Sequence, residues 1–377
     1  MDAVLSDVLV IDLSRAYAGP YCAMMLGDLG AQVIKIERPE SGDDTRSYGP
    51  PFVNGESAYY LGLNRNKRSI TLDFSTPDGK AKLLELAKKA TVLVQNFRPG
   101  TLERKGLGYE TLHALNPGLI YCSISGYGQT GPHAMLPGYD LVAQAESGLM
   151  SITGEVDGPP MPVGTPVTDI TAGMFACMSI LAALRVRDHT GEGQHIDISL
   201  LESAVSLLAN VGSNYLISGT EARRYGNGHP NITPYQAFST RNGHMIVACG
   251  NDELFDTMCH ALERDDLAAD ERFVTNSQRL RHRHALITIL QEHFLQRDTA
   301  EWLAILRKAG VPCGPIHKVS QVFHDPQIKA RKLVWECEHP TAGTIQLIGS
   351  PMHLSETPPR LYKAPPLLGE DNELLES

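Results

Sequence analysis

The chain has 377 residues, 42% of them hydrophobic and 20% charged, with a formal net charge of −10 at pH 7. That length predicts one large domain or two ordinary ones, with ample material for a core. The acidic balance excludes nonspecific binding to nucleic acid or to an anionic membrane, but it leaves room for an anionic ligand held by a local arginine cluster.

Taken in chain order, the opening "MDAVLSDVLVIDLS" lacks the basic stretch and cleavage site of a secretion signal, so no leader is expected. "VLVIDL" (8–13) predicts a strand. "SRAYAGPYCAMMLGDLGA" predicts a loop and then a helix ending near Gly30, and "QVIKIE" (32–37) a second strand. The pattern recurs with "SITLDF" (69–74), a helix from about Pro77 to Lys89, "TVLVQNF" (91–97), a helix near Thr111 to Leu115, and "LIYCSISGYG" (119–128). Strand–helix alternation of this kind predicts an α/β fold with a mostly parallel, Rossmann-like sheet covered by helices.

A loop rich in Gly and Pro follows (126–168), then a helix beginning near Ile170. The most apolar helix, around Met174 to Val186, reads as too short to cross a bilayer and contains Arg185, so no membrane anchor is expected. Residues 193–218 predict a strand and one long helix, and the polar, turn-rich 219–235 a linker. Beyond it, "AFSTRNGHMIVACG" predicts a hairpin turning at Asn242-Gly243. Helices are expected at 252–262, 277–296 and 299–309, and a second hairpin at 339–355. The expected division is a large domain over 1–218, completed by about 326–377, and a smaller α+β domain over 236–325. The seven cysteines form no CxxC pair and show no disulfide or metal spacing, which predicts reduced core thiols in a cytoplasmic setting and no metal.

Several kinds of chemistry can be weighed on these elements. The first strand–loop–helix unit, with Glu37 ending the next strand, imitates a dinucleotide site, but "SRAYAGPYCAMM" offers one glycine followed by proline where a pyrophosphate needs a glycine-rich turn. There is no P-loop and no GxSxG elbow. "RLRHRH" (279–284) reads as a solvated helix face. Arg38 and Arg98 follow strands at their carboxyl ends, with Arg104 just beyond. Ligands of open α/β sheets bind at such ends, and arginines there can hold phosphates. Asp169, alone in "PVGTPVTDITAGMFACMSILAAL", has two readings. Thr168 or Asp169 caps the helix beginning at Ile170, or Asp169 is a desolvated carboxylate able to attack an activated acyl group.

Read together, "AGPYCAMMLGDLGAQVIKIERPESGDDTR", "NRNKRSITLDF", "VQNFRPGTLERKGLGYE", "SISGYGQTGP", "GYDLVAQAESGLM" and "VTDITAGMFA" form an ordered set that resembles the class III coenzyme A transferase family, which includes formyl-CoA transferase and carnitine CoA-transferase. The resemblance spans nearly the whole chain. It implies a two-domain subunit in an interlocked homodimer, Asp169 as nucleophile, and a CoA thioester as substrate with no permanently bound cofactor. It places CoA near Tyr17 and Ala18, Arg38, Leu72, Asp73, Phe74 and Ser75, Asn96, Phe97 and Arg98, Arg104, and Tyr139 and Asp140. Formyl-CoA transferases carry glutamine where this chain has Tyr17, and a poly-glycine loop where it has "VACGNDELF". The α-methylacyl-CoA racemases of the family carry histidine at Tyr139, so the two-base arrangement a racemase needs is incomplete.

The runs "EARRYGNGHPNITPYQAFST" and "GPPF" resemble the succinyl-CoA:dicarboxylate (glutarate-type) branch. The expected reaction is therefore CoA transfer from an acyl-CoA, with succinyl-CoA the expected donor, to a small carboxylic acid. The alternatives are a racemase of the same fold and a CoA-binding protein without chemistry. A dicarboxylate acceptor needs a cation for its distal carboxylate, with Arg46 and the Arg223–Arg224 pair as candidates. Gly250 and Asn251, in the Gly-bearing segment 249–251, are substrate-side candidates for stabilising the oxyanion through backbone amides.

Overall fold

The computed structural model describes residues 3–375. The chain divides into two units, the first made of residues through Leu149, Val163–Ala209 and the segment from Pro326 onward, the second of Met150–Pro162 and Asn210–Asp325. Part of the expected first domain, 210–218, thus groups with the second unit, as do the expected linker and residues 150–162.

In the first unit the strands are β1 (Leu9–Asp12), β2 (Gln32–Glu37), β3 (Phe52–Val53), β4 (Glu56–Ser57), β5 (Lys67–Thr71), β6 (Val92–Gln95), β7 (Ile120–Ser125) and β8 (His195–Ser199). Six of them form one sheet in the order β5-β2-β1-β6-β7-β8, parallel throughout. Successive side chains alternate between its faces. Val10, Val33, Val94 and Ile120 pack with Cys22, Ala172 and Ile180 on one side. Ile11, Ile34, Leu93 and Tyr121 pack with Leu83 and Leu112 on the other. Helices Ala18–Asp28 and Val167–Thr190 cover the first face, Pro77–Lys89 and Tyr109–Leu115 the second. The Pro77–Lys89 helix runs where its sequence predicts, with Pro77 in the first turn and the Thr76 side chain accepting from Gly79 N–H at 3.1 Å.

Several elements depart from their sequence readings. β5 starts at Lys67 and stops at Thr71, because Leu72 to Phe74 turn toward the cap at Thr76. The one long helix expected after the strand within 193–218 is two, Leu200–Ser206 and Ala209–Ser218, broken where Ala209 takes a left-handed φ of 46°. The apolar helix is longer than read. Val167–Thr190 spans 24 residues, long and apolar enough to cross a membrane by length and composition. Its buried side chains, among them Ala172, Ala176 and Ile180, instead pack in the core of the first unit. A Cβ at Gly173 would come within 2.7 Å of the Ala18 carbonyl, so this glycine permits close approach of the two helices.

The second unit carries a three-stranded antiparallel sheet, β9 (Tyr235–Thr240), β10 (Gly243–Ala248) and β11 (Cys313–Pro315), in the order β11-β10-β9. Helices pack on it around Phe238, Phe255, Phe294 and Trp302. The expected 277–296 helix breaks at His282 into Asn276–Arg281 and Arg283–Phe294. Arg279, read as solvated, is fully buried. It bonds Asp252 (2.6 Å) and the carbonyls of Thr233 and Phe273 (both 2.8 Å), and its cation lies 4.4 Å from the Phe255 ring centre.

The chain then returns to the first unit. Its hairpin is β12 (Val334–His339) with β13 (Gly343–Ile348), ahead of the 339–355 expected, because the alternation of "VWECEH" already belongs to the pair. Residues 360–372 follow β5, the outer strand of the large sheet. Asp371 accepts from Ser69 N–H (2.9 Å), Asn372 accepts from Thr71 N–H (2.8 Å), and the Lys363 carbonyl accepts from Asn66 N–H (2.9 Å). Side chains from the tail thus satisfy edge groups that another strand would otherwise pair.

Candidate active site

The strand order reverses between β1 and β6, since β2 lies on one side of β1 and β6 on the other. Such a switch point opens a crevice at the carboxyl ends. The loop after β1, Ser14 to Tyr17, lies there. Ala16 has a φ of 65°, a conformation a side chain adopts only under constraint. The constraint is visible. Asn96, just after β6, accepts from Arg15 N–H (2.9 Å) and donates to the Arg15 carbonyl (2.6 Å). Asp43 accepts from Ala16 N–H (3.3 Å), and buried Lys35 donates to the Ser14 carbonyl (3.0 Å) and pairs with Asp43 (2.8 Å). Burial opposes the Lys35 charge, but Asp43 and Asp12 outweigh it and hold its pKa above the ordinary lysine value. Lys67, equally buried, bonds Asp12, the Pro20 carbonyl and Asn64, each at 2.9 Å. Burial there prevails over Asp12 and lowers its pKa to about 8. Gly19 completes the turn; a Cβ on it would sit 2.2 Å from that of Ser14.

Asp169 lies in the first turn of the Val167–Thr190 helix and caps nothing. Neither does Thr168. Asp140, from the helix Asp140–Glu146, supplies the cap, accepting from Thr168 N–H (2.8 Å), Thr168 Oγ1 (2.7 Å) and Asp169 N–H (3.4 Å). Among the described residues the Asp169 carboxylate has no hydrogen-bond partner. Burial, with the like charge of Asp140, raises its pKa to about 7. A cleft of about 420 Å³ opens over it, lined also by Arg15, Tyr17, Ala18, Arg98 and Tyr139. Tyr17 packs against Tyr21 (5.9 Å between centroids) and Tyr59 (5.8 Å), and Tyr59 against Tyr48 (5.5 Å). Burial first, then charges that include Asp169, raises the pKa of Tyr17 to about 12 and that of Tyr59 further, so both phenols stay protonated at neutral pH.

A second cleft, about 480 Å³, is lined by Arg38, Leu72, Asp73, Phe74, Ser75 and Phe97, all named by the sequence. The Phe74 and Phe97 rings meet edge to face at 5.9 Å. Arg15 lines both clefts. Arg104 bonds Thr101 (3.4 Å) and lines neither; its neighbour Lys105 lines the second and donates to Ser75 (2.8 Å).

Other candidates are already engaged. Asn96 holds the Arg15 backbone with both ends of its amide. Arg46 is bidentate to Glu37 (2.8 and 2.7 Å) and also bonds Tyr60 Oη (2.6 Å) and the Pro366 carbonyl (3.1 Å), which leaves its charge neutralised inside the fold. Arg224 donates to the carbonyls of Ser151, Glu155 and Gly158. Arg223 lines a separate cavity of about 780 Å³ in the second unit. Asn251 caps the helix Asp252–Ala261, accepting from Leu254 N–H at 2.8 Å, and Gly250 precedes it. The sequence reading missed Arg15, Tyr48, Tyr59 and Lys105. Arg15 could have been found by the strand-end rule that picked Arg38 and Arg98.

No group of three or more His, Cys, Asp or Glu able to hold a metal occurs among the described residues. The sequence profile of CoA-transferase family III matches residues 5–372. The chain is 46% identical to a succinyl-CoA:glutarate CoA-transferase of Homo sapiens, over 97% of this chain and 84% of that one. It is 45% identical to a succinate–glutarate CoA-transferase of Agrobacterium fabrum, over 97% and 93%. A CAIB/BAIF family protein from Brucella suis superposes with a TM-score of 0.88 at 43% identity, covering 100% of this chain and 99% of that one. With an α/β fold in common and similarity running end to end, the chain belongs to CoA-transferase family III and is a CoA-transferase.

Proposed function

We propose that this enzyme moves CoA from succinyl-CoA to a dicarboxylic acid of the glutarate type, with Asp169 as nucleophile. The observation that carries the reading is the Asp169 carboxylate, desolvated, without a hydrogen-bond partner and facing a cleft. The acceptor class is supported by the succinyl-CoA:glutarate relatives. The adenosine end of CoA takes the Arg38–Phe74 cleft, and the thioester end lies over Asp169.

An Asp169 oxygen attacks the thioester carbonyl and the C–S bond breaks, giving an acyl-aspartyl anhydride and CoA thiolate. The thiolate attacks the aspartyl carbonyl, which forms an aspartyl-CoA thioester and releases the donor acid. The acceptor carboxylate attacks that thioester, again expelling thiolate and leaving an anhydride. Attack of the thiolate on the acceptor carbonyl then yields acceptor-CoA and restores Asp169. Every bond broken is matched by one of similar energy, so the cycle needs no nucleotide. The protonated Tyr17 and Tyr59 phenols are donors for the oxygen that gains charge. A second copy of the chain covers the exposed Met174 and Met178 of the Asp169 helix.

The test is a mass-resolved assay with succinyl-CoA and a panel of glutarate, itaconate, malate, oxalate and formate. A new acyl-CoA with glutarate or another dicarboxylate is expected, together with an Asp169-linked CoA adduct of the intact protein. Turnover retained by Asp169→Ala would overturn the nucleophile. Proton exchange at the α-carbon in deuterated water, without transfer, would favour a racemase.

A further inference from the structure

Arg15 stands where the two clefts meet. Its backbone is held on both sides by Asn96, and the next residue by Asp43, so the side chain leaves from a fixed point. Its guanidinium lies 5.1 Å from the Phe97 ring centre and lines both clefts. One carboxylate, Asp44, sits between this guanidinium and that of Arg38. Asp44 Oδ2 is 3.6 Å from Arg15 Nη1, and Asp44 Oδ1 accepts from Arg38 Nη2. Asp44 lines the Asp169 cleft and Arg38 the other.

All three side chains are more than a third exposed or close to it, at 35%, 44% and 48% for Arg15, Asp44 and Arg38. Ion pairs so exposed contribute little to folding. They also exchange readily for a stronger anion. Two arginines converging on one carboxylate present the fork geometry that phosphate oxygens satisfy better, with more charge and more acceptors.

We propose that Arg15 and Arg38 together seat the pyrophosphate of CoA, and that Asp44 is a resident anion which the pyrophosphate displaces. This rests on the placement of CoA along the two clefts under the function proposed above. A CoA molecule with its adenosine end in one cleft and its thioester end over Asp169 brings its pyrophosphate to the junction. Asp44 then has a purpose that a purely attractive site lacks. It keeps the arginines aligned while the site is empty, and it competes for them when the product leaves. Affinity is thereby held down in favour of release.

The test is calorimetric binding of CoA, dephospho-CoA and pantetheine to the full chain and to Asp44→Asn and Arg15→Gln, with melting temperatures as a folding control. Dephospho-CoA keeps the pyrophosphate without the 3′-phosphate; pantetheine has no phosphate. Asp44→Asn is expected to bind CoA and dephospho-CoA about two- to fivefold more tightly, and pantetheine as the wild type does. Arg15→Gln is expected to weaken the two phosphorylated ligands about tenfold and to leave pantetheine unchanged. Weaker or unaltered CoA binding by Asp44→Asn would overturn the proposal, as would equal effects on all three ligands. A wild-type chain that binds none of them overturns the placement of CoA itself, a result distinct from the first.

Discussion

Two groups of buried charge lie within the first unit and behave in opposite ways. Under the Ser14–Tyr17 loop, Asp12, Lys35, Asp43 and Lys67 are all buried, and each carboxylate faces an ammonium. Burial opposes ionisation of Asp43, yet Lys35 and the Thr45 donors overcome it and bring its pKa down to about 2. Asp169, partly buried at its cleft, loses solvent with another carboxylate for a neighbour, and its pKa goes up instead. Burial pushes both pKa values up, and the sign of the partner charge decides which of them stays high. Paired charges make a rigid footing, and the unpaired one is the carboxylate proposed above as the nucleophile.

The comparison can be broken from either side. The largest effect is expected at Asp169, where replacement by Ala should lower transfer on the order of 10⁴-fold or more while CoA binding, followed by calorimetry, changes little. On the paired side, Lys35→Met leaves Asp43 and Asp12 buried with one counter-charge fewer. It should destabilise the protein by about 3–5 kcal/mol, read from the denaturant midpoint. A stabilised variant there would mean that the network serves something other than rigidity.

Asp169→Asn sharpens the contrast through stability. The folded pKa of about 7 lies above the ordinary value of 3.8. Between those values the folded chain holds more protons than the unfolded one, so the Asp169 contribution to stability falls as pH rises through the window and is lowest above about 7. The Asn variant should therefore be more stable than wild type at pH 8, on the order of 2 kcal/mol, with the difference gone below pH 4. A variant less stable at pH 8 would mean that Asp169 has favourable partners. The smallest effect is expected from Asp140→Asn, which keeps an acceptor for Thr168 N–H and removes the like charge. The acid limb of kcat/KM, expected near pH 7, should move down by about one pH unit or less. An unmoved limb would assign that ionisation elsewhere.

Much of this was legible in the sequence. β2 and the Pro77–Lys89 helix carry their own boundaries, because alternation and a Thr-Pro start are local signals. Asp169 stood out as a lone carboxylate in an apolar run. What stayed hidden depended on distant partners. The cap on the Asp169 helix comes from Asp140, 28 residues before the Thr168 amide it accepts from. Arg46 reads as a free cation until Glu37 and Pro366 surround it. Arg279 reads as solvated within a basic run, because nothing local announces that Thr233, Asp252 and Phe273 converge on it. Lys35 and Lys67 sit inside strand patterns, where a lysine normally marks the outward face.

The tail along β5 bears on how the chain is made. Ser69 and Asp371 are 302 residues apart. At a synthesis rate of about 5–20 residues per second, roughly 15–60 s separate the appearance of the strand from that of the carboxylate that seals it. Through that interval the Ser69 and Thr71 amides lack the Asp371 and Asn372 acceptors that later pair them, and they are open to another strand. This strand is therefore most open to mispairing while the chain is still being made, for up to about a minute.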